Sequence, residues 1–199
     1  MSAPSSHEDS PISVKIVISG GFGVGKTTFV GAISEIEPLV TEADMTSVSI
    51  GVDDRQLVPG KVTTTVALDF GRISLDDSLR LYLFGTPGQD RYSFLWDDLV
   101  KGALGAVVLL DTERIEDCFR SIDYFEEHQV PFLVAVNVFE SASRFELDEV
   151  REALGIADAI PVLECDARHR QSVKEILVAL TEEVLTRRLA EESRAVVRQ

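Results

Sequence analysis

Short continuous apolar runs alternate along the chain with stretches whose apolar residues recur at helical spacing. The apolar runs cover residues 14–19, 105–110, 132–136 and 160–165, and helical spacing is found in residues 27–36, 115–127, 147–154 and 173–195. Continuous runs of this length are typical of parallel strands that are buried on both faces of a sheet. Residues 63–75 and 79–84 read as two further strands that form an antiparallel hairpin. The alternation predicts a three-layer α/β fold with a mostly parallel sheet and one antiparallel edge strand.

Length and composition favour a single domain. A chain of 199 residues with 45% hydrophobic content can bury one substantial core. We predict that residues 12–190 form this domain, that residues 1–11 form a disordered leader and that residues 191–199 form a C-terminal tail. An apolar stripe in the last helix is expected to pack on the core rather than to form a partner groove. The stripe consists of Val173, Ile176, Leu177, Leu180, Val184, Leu185 and Leu189.

Charge and cysteine content exclude several classes of partner and site. The chain has 34 acidic and 19 basic residues and a net charge of −15, so it repels nucleic acid and anionic lipid at long range. Cys118 and Cys165 fit small buried residues in a reducing compartment better than a disulfide scaffold or a metal site. No run reaches transmembrane length, and the N-terminus lacks the apolar core of a signal peptide. We therefore expect a cytoplasmic protein that reaches a membrane only through a partner.

A glycine-rich segment between the first strand and the first helix carries the strongest chemical signal. Gly20, Gly25, Lys26 and Thr27 fit the spacing G-x-x-x-x-G-K-[ST], in which backbone N–H groups surround phosphates and the lysine reaches the outer ones. An incidental glycine-rich turn is the alternative, but the position between a strand and a helix argues against it. The segment predicts a nucleotide site formed by Gly20, Gly21, Phe22, Gly23, Val24, Gly25, Lys26, Thr27 and Thr28.

Two further segments are expected near the phosphate end of a bound nucleotide. Gly88 and Gln89 follow a predicted strand, at the same edge of the sheet as the glycine-rich segment, which we call the P-loop. A sensor of the γ-phosphate would lie at this position. A plain Pro-Gly turn is the alternative. Threonines at residues 63–65 suit a strand by propensity alone, but a hydroxyl there can also reach Mg²⁺, which prefers oxygen ligands. We predict that Thr65, rather than Thr64, is this ligand.

The base of the nucleotide is expected to lie near two other strand ends. Asn137 ends a parallel strand, and Glu140 follows three residues later. A carboxylate accepts two parallel hydrogen bonds from N1–H and the exocyclic amino group of guanine, whereas adenine offers no such pair of donors. After the last strand, Asp166, Ala167 and Arg168 can turn a backbone N–H toward the guanine oxygen. Each segment alone is consistent with a solvated loop, but together they favour a guanine site.

The order of these segments resembles that of the Ras-like small GTPases, from residue 14 to about residue 189. More narrowly, the chain is similar to the bacterial gliding-motility polarity GTPases and to the GTPases of actinobacterial conservon operons, which share the Thr-Pro-Gly-Gln form of the second switch. The resemblance implies a P-loop NTPase fold of the small G-domain type. It also implies that Gln89 orients the attacking water and that Asn137 opens the guanine motif.

Three features depart from the pattern of this family. Gly85 stands in place of the aspartate that holds Mg²⁺ through water, and losing such a partner typically costs about 10- to 100-fold in metal affinity or activity. Pro87 replaces a small residue and restricts the backbone of Thr86. The guanine motif Asn-Lys-x-Asp reads Asn-Val-Phe-Glu at residues 137–140, so the lysine under the base is missing and the acid is one methylene longer.

The family implies a molecular switch that binds GTP with Mg²⁺, hydrolyses it slowly to GDP and phosphate, and regulates a bacterial signalling system. In such a site Lys26 would offset phosphate charge, Thr27 and Thr65 would ligate Mg²⁺, and Gln89 would place the water. The partners that the family implies are a roadblock-fold protein and a sensor-kinase-like membrane protein. Slow unassisted turnover is expected, because such sites depend on an arginine from an activating partner.

Two other functions stay open at the level of sequence. No arginine stands out as one that stabilises the transferred phosphate, and Arg55, Arg72 and Arg91 are candidates by position only. An ATP-dependent P-loop kinase would need arginine clamps on that phosphate, and none is evident. A pseudo-GTPase that serves as a nucleotide-binding interaction module is favoured by Gly85 and by the altered residues 137–140.

Overall fold

One mostly parallel sheet forms the centre of the structure. The computed structural model describes residues 11–37, 41–42, 67–88, 94–138 and 145–197. Its strands are β1 (Ile12–Gly20), β2 (Thr41–Glu42), β3 (Ala67–Leu68), β4 (Phe70–Ser74), β5 (Leu79–Gly85), β6 (Gly105–Leu110), β7 (Phe132–Asn137) and β8 (Val162–Cys165). The main sheet has the order β4-β5-β1-β6-β7-β8, in which only the pair of β4 and β5 is antiparallel. Strands β2 and β3 pair separately.

Helices cover both faces of the main sheet. They are α1 (Lys26–Ile33), α2 (Trp96–Val100), α3 (Phe119–Glu127), α4 (Leu147–Leu154) and α5 (Arg170–Val197), and a 3₁₀ helix (Ile115–Cys118) leads into α3. Because side chains alternate along a strand, Ile16 and Ile18 of β1 pack with α1 and α5, whereas Val17 packs on the opposite face with α3 and α4. The predicted three-layer α/β fold with one antiparallel edge strand is confirmed.

The carboxyl ends of the parallel strands meet at one edge of the sheet. Strand β1 ends there at Gly20, β5 at Gly85 and β7 at Asn137. Asp111 follows β6 and Asp166 follows β8 at the same edge. Parallel neighbours run in the same direction, so the loops that follow them share this edge, which is where ligands bind in open α/β sheets.

The first helix is shorter than the apolar spacing predicts. It ends at Ile33 rather than at Ile36, because Ser34 has an extended backbone with φ −60° and ψ 140°. The Ser34 hydroxyl donates a hydrogen bond to the Ile36 carbonyl at 2.7 Å and accepts one from the Arg72 N–H at 3.3 Å. These bonds redirect the chain toward β4, so the prediction of a helix over residues 27–36 is wrong at its end.

Other predicted boundaries change by a few residues. Strand β8 begins at Val162 rather than at residue 160. The first strand of the predicted hairpin is shorter than expected, since β4 begins at Phe70, and residues 63–66 lie outside the described part of the chain. Helix α2 was not predicted, because five residues are too few to show a helical period. Helix α4 and strand β6 have the predicted bounds.

The apolar stripe of α5 is only partly buried. Val184 still contacts the start of β6, since its Cγ2 lies 3.3 Å from the position a Cβ would have at Gly105. Beyond it, Leu185 and Leu189 are 56% and 62% exposed, so the expectation that they pack on the core is wrong. The reason is length: 28 helical residues span about 42 Å, whereas the six residues of β6 span about 20 Å.

The predicted limits of the domain lie in the last helix and near the first described residues of the chain. Helix α5 continues to Val197, so residues 191–197 of the predicted tail are helical. Residues 1–10 of the predicted leader lie outside the described residues, and the limits 12–190 stay a prediction. Among the described helices, none combines the length and the apolar character needed to cross a membrane.

The two cysteines are small buried side chains, as expected. Cys118 and Cys165 are both free thiols and each is 1% exposed. Burial raises the pKa of Cys118 to about 12 and that of Cys165 to about 11. Thiols with such pKa values stay protonated at neutral pH and are poor nucleophiles and metal ligands.

Candidate nucleotide-binding site

The P-loop connects the end of β1 to the first turn of α1. Gly25 caps α1 with φ 104°, a left-handed conformation that favours glycine, and a Cβ there would lie 2.7 Å from Asn137 Nδ2. Val24 is buried at 2% exposure, whereas Phe22 and Thr28 are exposed. The first N–H groups of a helix have no partner within the helix and carry a partial positive charge. The loop and the start of α1 therefore have the features of an anion-binding site of the kind that holds phosphates.

Lys26 is the buried cation of this loop. Its Nζ donates hydrogen bonds to the carbonyl oxygens of Gly20 at 2.8 Å and Gly21 at 2.6 Å, and the residue is 7% exposed. Burial lowers the pKa of Lys26 to about 8, and the nearby carboxylates of Asp69 and Asp117 act in the opposite direction. An ammonium group has three N–H donors, so one remains beyond the two carbonyl bonds. Lys26 is thus held in place with a donor and a charge available for a phosphate.

The Thr-Pro-Gly turn after β5 lies directly against the P-loop. A Cβ at Gly88 would lie 2.9 Å from both Lys26 Nζ and Phe22 Cα. The turn is anchored by Thr86, whose N–H donates to the Ile18 carbonyl at 2.8 Å and whose hydroxyl lies 3.0 Å from Ser19 Oγ. The prediction that this turn lies at the same edge as the P-loop is therefore confirmed for Gly88.

A buried hydroxyl cluster connects the same turn to α3. Ser19 Oγ lies between Thr86 Oγ1 at 3.0 Å and Ser121 Oγ at 2.9 Å. All three residues are at most 2% exposed. Because each hydroxyl both donates and accepts, the cluster satisfies these groups inside the fold. The Thr-Pro-Gly turn is thus bonded to β1 and is connected to α3 through Ser19.

The carboxylate of Asp69 lies beside Gly85, the position at which the sequence has no side chain. The Asp69 side chain accepts a hydrogen bond from Thr27 Oγ1 at 3.0 Å, at the mouth of the P-loop. A Cβ at Gly85 would lie 2.8 Å from Asp69 Cβ and 2.9 Å from its Oδ2. Sequence reasoning missed Asp69, because it precedes β4 and belongs to no motif. The only indication in the sequence is that Asp69 and Gly85 lie opposite each other if the two strands of the predicted hairpin are paired.

Asn137 joins two loops of the site. Its Nδ2 donates to the Val24 carbonyl at 2.9 Å, and its Oδ1 accepts from the Ala167 N–H at 3.0 Å. The side chain is 4% exposed, so both bonds are buried. The sequence predicted Asn137 and a backbone N–H among residues 166–168 as contacts to guanine, and here Asn137 bonds to one of these groups, the Ala167 N–H. Their contacts to a base stay predictions.

The loop after β8 is organised around Asp166. The carboxylate accepts from the backbone N–H of Arg168 at 3.0 Å, from its guanidinium at 2.8 Å and from His169 Nδ1 at 2.9 Å. The Arg168 hydrogen bonds, opposed by partial burial, hold the pKa of Asp166 below its usual range. The Asp166 N–H in turn donates to Ser172 Oγ at 3.0 Å, which ties the loop to the first turn of α5.

A charged cluster after β6 was also missed by sequence reasoning. Arg114 Nη2 lies 3.7 Å from the position of a Cβ at Gly23, and Asp117 Cβ lies 2.5 Å from that of a Cβ at Gly21. Arg114 is paired with Asp111 at 3.2 Å and with Asp117 at 3.7 Å. The guanidinium is therefore at the P-loop but is already neutralised by two carboxylates.

Several predicted residues are not brought to the site by the described part of the chain. Thr65, Gln89 and Glu140 lie outside the described residues, as do Arg55 and Arg91. Arg72 pairs with Tyr82 within the antiparallel pair of β4 and β5. The roles predicted for Thr65, Gln89 and Glu140 stay predictions.

A large recess lies away from this site. A cavity of about 720 Å³ lies at the opposite edge of the sheet, where its lining includes Leu104 before β6, Pro131 before β7, and Arg187 of α5. Ligands in open parallel sheets bind at the carboxyl ends of the strands, and this cavity is at the amino ends. The P-loop edge is therefore the better candidate.

Comparison with known proteins gives matches of three kinds. A family model described as "conserved hypothetical ATP binding protein" matches residues 18–195. An uncharacterized protein of Methanocaldococcus jannaschii is 29% identical over 62% of this chain and 69% of its own length. The Ras-related protein SEC4 of Saccharomyces cerevisiae is 26% identical, and the match covers 59% of each chain.

A solved structure supports the same fold. The FeoB G-domain from Methanococcus jannaschii superposes with a TM-score of 0.58 at 16% identity, over 86% of this chain and 97% of that chain. Together with the similarity to SEC4, this supports the resemblance to Ras-like GTPases, whereas the narrower resemblance to the polarity and conservon GTPases stays a prediction. The chain has the fold of a small G domain and belongs to the family of conserved hypothetical ATP binding proteins.

Proposed function

We propose that the chain is a Mg²⁺-dependent GTP-binding switch that hydrolyses GTP slowly and regulates a bacterial signalling system. The observation that carries the proposal is the contact between Gly88 and Lys26, in which a Cβ on the turn would lie 2.9 Å from the lysine Nζ. A switch needs a segment that responds to the terminal phosphate, and this turn adjoins the cation that would bind that phosphate. A P-loop without such a turn would support nucleotide binding only.

The residues of the P-loop have distinct roles in this proposal. Lys26 offsets the charge of the β- and γ-phosphates and donates to them its third N–H, which is not used in the bonds to the Gly20 and Gly21 carbonyls. The start of α1 donates backbone N–H groups. Thr27 Oγ1 is a hard oxygen donor at the mouth of the loop, and it lies 3.0 Å from a carboxylate oxygen, so the donors fit Mg²⁺. Mg²⁺ bound with the nucleotide would neutralise charge on the phosphates. Thr65 is the second threonine ligand that we propose.

Hydrolysis is proposed to depend on a water that Gln89 orients, next to the turn that ends at Gly88. The turn is fixed through Thr86 to the end of β1. Arg114 at the P-loop is paired with two carboxylates and offers no free positive charge to the developing transition state. We therefore expect slow unassisted turnover that a partner accelerates. Rapid single-turnover hydrolysis by the purified chain would contradict this expectation.

The base is proposed to be guanine, read by Glu140 with the help of Asn137 and the loop at Ala167. In the structure the Ala167 N–H is donated to Asn137 Oδ1, so a contact to guanine requires this N–H to change its partner. The similarity to SEC4, a Ras-related protein, supports guanine. The partners that we propose from the sequence resemblance are a roadblock-fold protein and a sensor-kinase-like membrane protein, the latter recruiting the cytoplasmic chain to the membrane.

A second candidate is a nucleotide-binding interaction module that does not select guanine. Two observations favour it: Asn137 has a bridging role within the protein that requires no base, and the family is described as ATP binding. This candidate keeps the phosphate site around Lys26 and loses the base contacts. It predicts equal competition by adenine and guanine nucleotides.

The first experiment is a competition of unlabelled GTP, GDP, ATP and ADP against a fluorescent guanine nucleotide, with Mg²⁺ and with chelator. Guanine nucleotides are expected to bind at least tenfold more tightly, which corresponds to about 1.4 kcal/mol. Equal competition by ATP would reject the guanine site and favour the second candidate. No binding by any nucleotide would reject both.

A second experiment separates a switch from a module that only binds. The Gln89→Leu variant is expected to keep nucleotide affinity and partner binding and to lose hydrolysis, because leucine cannot orient a water molecule. Single-turnover release of phosphate from GTP measures the loss, and the wild-type chain is the reference. An unchanged rate in the variant would show that Gln89 has no part in hydrolysis.

A further inference from the structure

Asp69 and Gly85 are neighbours across the antiparallel pair of β4 and β5. The register pairs Phe70 with Phe84 and Gly71 with Leu83, and its continuation places Asp69 opposite Gly85. The Gly85 N–H donates to the Asp69 carbonyl at 2.8 Å, which confirms that the pairing extends to these two residues. Directly opposed residues project from the same face of a sheet. A side chain at either position therefore occupies the same space at the edge of the sheet.

Only one of the two positions can carry a side chain in this arrangement. A Cβ at Gly85 would lie 2.8 Å from Asp69 Cβ and 2.9 Å from Asp69 Oδ2, closer than such atoms approach in folded proteins. The Asp69 side chain thus lies over the end of β5, where a side chain at residue 85 would otherwise lie. Gly85 leaves room for a carboxylate that comes from the neighbouring strand.

The Asp69 carboxylate is directed at the start of α1. Its Oδ2 accepts from Thr27 Oγ1 at 3.0 Å, and its charge acts on Lys26, whose pKa it raises against the effect of burial. Two oxygens that occupy adjacent octahedral positions on Mg²⁺, at about 2.0–2.1 Å from the ion, are about 3 Å apart. Mg²⁺ is usually held by one or two carboxylates together with substrate phosphates. The hydroxyl and the carboxylate therefore have the chemistry and the spacing of a shared metal site.

We propose that Asp69 supplies the carboxylate for the Mg²⁺ that accompanies the bound nucleotide, in place of the side chain that Gly85 lacks. This inference rests on the proposed function, since the phosphates provide the other ligands. The acid would come from the residue before β4 rather than from the end of β5, and it would reach the same place at the mouth of the P-loop. The same position makes Asp69 unfavourable without metal, because its negative charge then faces the phosphates.

The test compares nucleotide affinity with Mg²⁺ and with chelator for the wild-type chain and the Asp69→Asn variant. The wild-type chain is expected to bind nucleotide more tightly with Mg²⁺. In the variant the Mg²⁺ concentration for half-maximal tightening is expected to rise about 10- to 100-fold, the usual effect of removing a group that holds a metal or orients its ligands. With chelator, the variant is expected to bind as tightly as the wild type or more tightly, because a repulsive charge is gone. A purely structural role for Asp69 would lower affinity in both conditions.

Asp117→Asn is the matched control. Asp117 is also a carboxylate beside the P-loop and also raises the pKa of Lys26, but it pairs with Arg114 at 3.7 Å. The substitution removes the same charge with the same shape. It is expected to leave the half-maximal Mg²⁺ concentration within about twofold of the wild type. Bound Mn²⁺, counted by electron paramagnetic resonance in the presence of nucleotide, gives a second readout that is independent of hydrolysis.

An exchange of the two residues tests the position of the carboxylate. Asp69→Gly is expected to lose Mg²⁺ dependence, and the double variant Asp69→Gly with Gly85→Asp is expected to regain it, because the acid returns to the same space from β5. Unfolding curves of each variant show whether the fold is kept. Failure of the exchange to restore Mg²⁺ dependence, in a folded variant, would contradict the proposal.

The outcomes separate this inference from the proposed function. If the wild type binds nucleotide with Mg²⁺ dependence and Asp69→Asn changes nothing, the assignment of Asp69 is wrong and the switch stands. If the wild type binds nucleotide equally with Mg²⁺ and with chelator, the metal site is wrong while nucleotide binding stands. If no nucleotide binds under either condition, both proposals are wrong.

Discussion

The Asn137→Ala substitution tests the bridge between the P-loop and the loop after β8. It removes the hydrogen bonds to the Val24 carbonyl at 2.9 Å and from the Ala167 N–H at 3.0 Å. Val24 and Ala167 are 2% and 1% exposed, so both backbone groups would be left buried without a partner. Each such group costs about 1–3 kcal/mol, and the two together cost about 2–6 kcal/mol of unfolding free energy.

The corresponding shift in melting temperature is large enough to measure without ambiguity. For a chain of 199 residues, a loss of 1 kcal/mol lowers Tm by about 2–4 °C. A loss of about 4 kcal/mol therefore lowers Tm by roughly 8–16 °C. Circular dichroism during heating, and urea unfolding at 25 °C, measure the two quantities on nucleotide-free protein. Nucleotide affinity is expected to fall as well, because Val24 belongs to the P-loop.

Gln171→Ala is the control for the loss of an amide. Gln171 is exposed on α5 and donates to Glu175 at 2.9 Å, so its removal is expected to change stability by less than about 0.5 kcal/mol. If Asn137→Ala costs no more than Gln171→Ala, the two buried hydrogen bonds do not hold the loops together. The explanation of Asn137 as a structural bridge would then be wrong.

Three further predictions follow from the same site. Burial lowers the pKa of Lys26 to about 8, and a bound phosphate would raise it. Nucleotide affinity should therefore be constant below about pH 8 and fall as the pH rises above that value. Constant nucleotide affinity up to pH 9.5 would contradict this. Gly25→Ala should abolish nucleotide binding in an equilibrium assay, because φ is 104° and the new Cβ would lie 2.7 Å from Asn137 Nδ2. Retained binding would mean that the P-loop backbone accommodates the new Cβ without losing its ability to bind nucleotide. Ser19→Ala should cost about 1–3 kcal/mol in urea unfolding, because Thr86 and Ser121 lose a buried partner; a change under 0.5 kcal/mol would count against a role for the hydroxyl cluster.

The sequence determined those elements whose signal is local. Strand β6 and helix α4 have the predicted bounds, because an apolar run flanked by polar residues and a helical period are both complete within a few residues. The P-loop was recognised for the same reason, since its function requires a fixed spacing of glycines and a lysine within one short segment. The three-layer arrangement followed from the alternation of these elements.

Features that depend on long-range contacts were decided only by the tertiary structure. Asp69 faces Gly85 because of strand register, and Asn137 bonds to residues 113 and 30 positions away in the chain. The exposure of Leu185 and Leu189 depends on where the sheet ends beneath α5, although the apolar stripe itself continues. In each case the deciding quantity is a distance between segments remote in sequence, and hydrophobic periodicity carries no information about such distances. The candidate phosphate-binding motif was therefore recognisable in the sequence, whereas the position of Asp69 opposite Gly85 and beside Thr27 was visible only once β4 and β5 were paired.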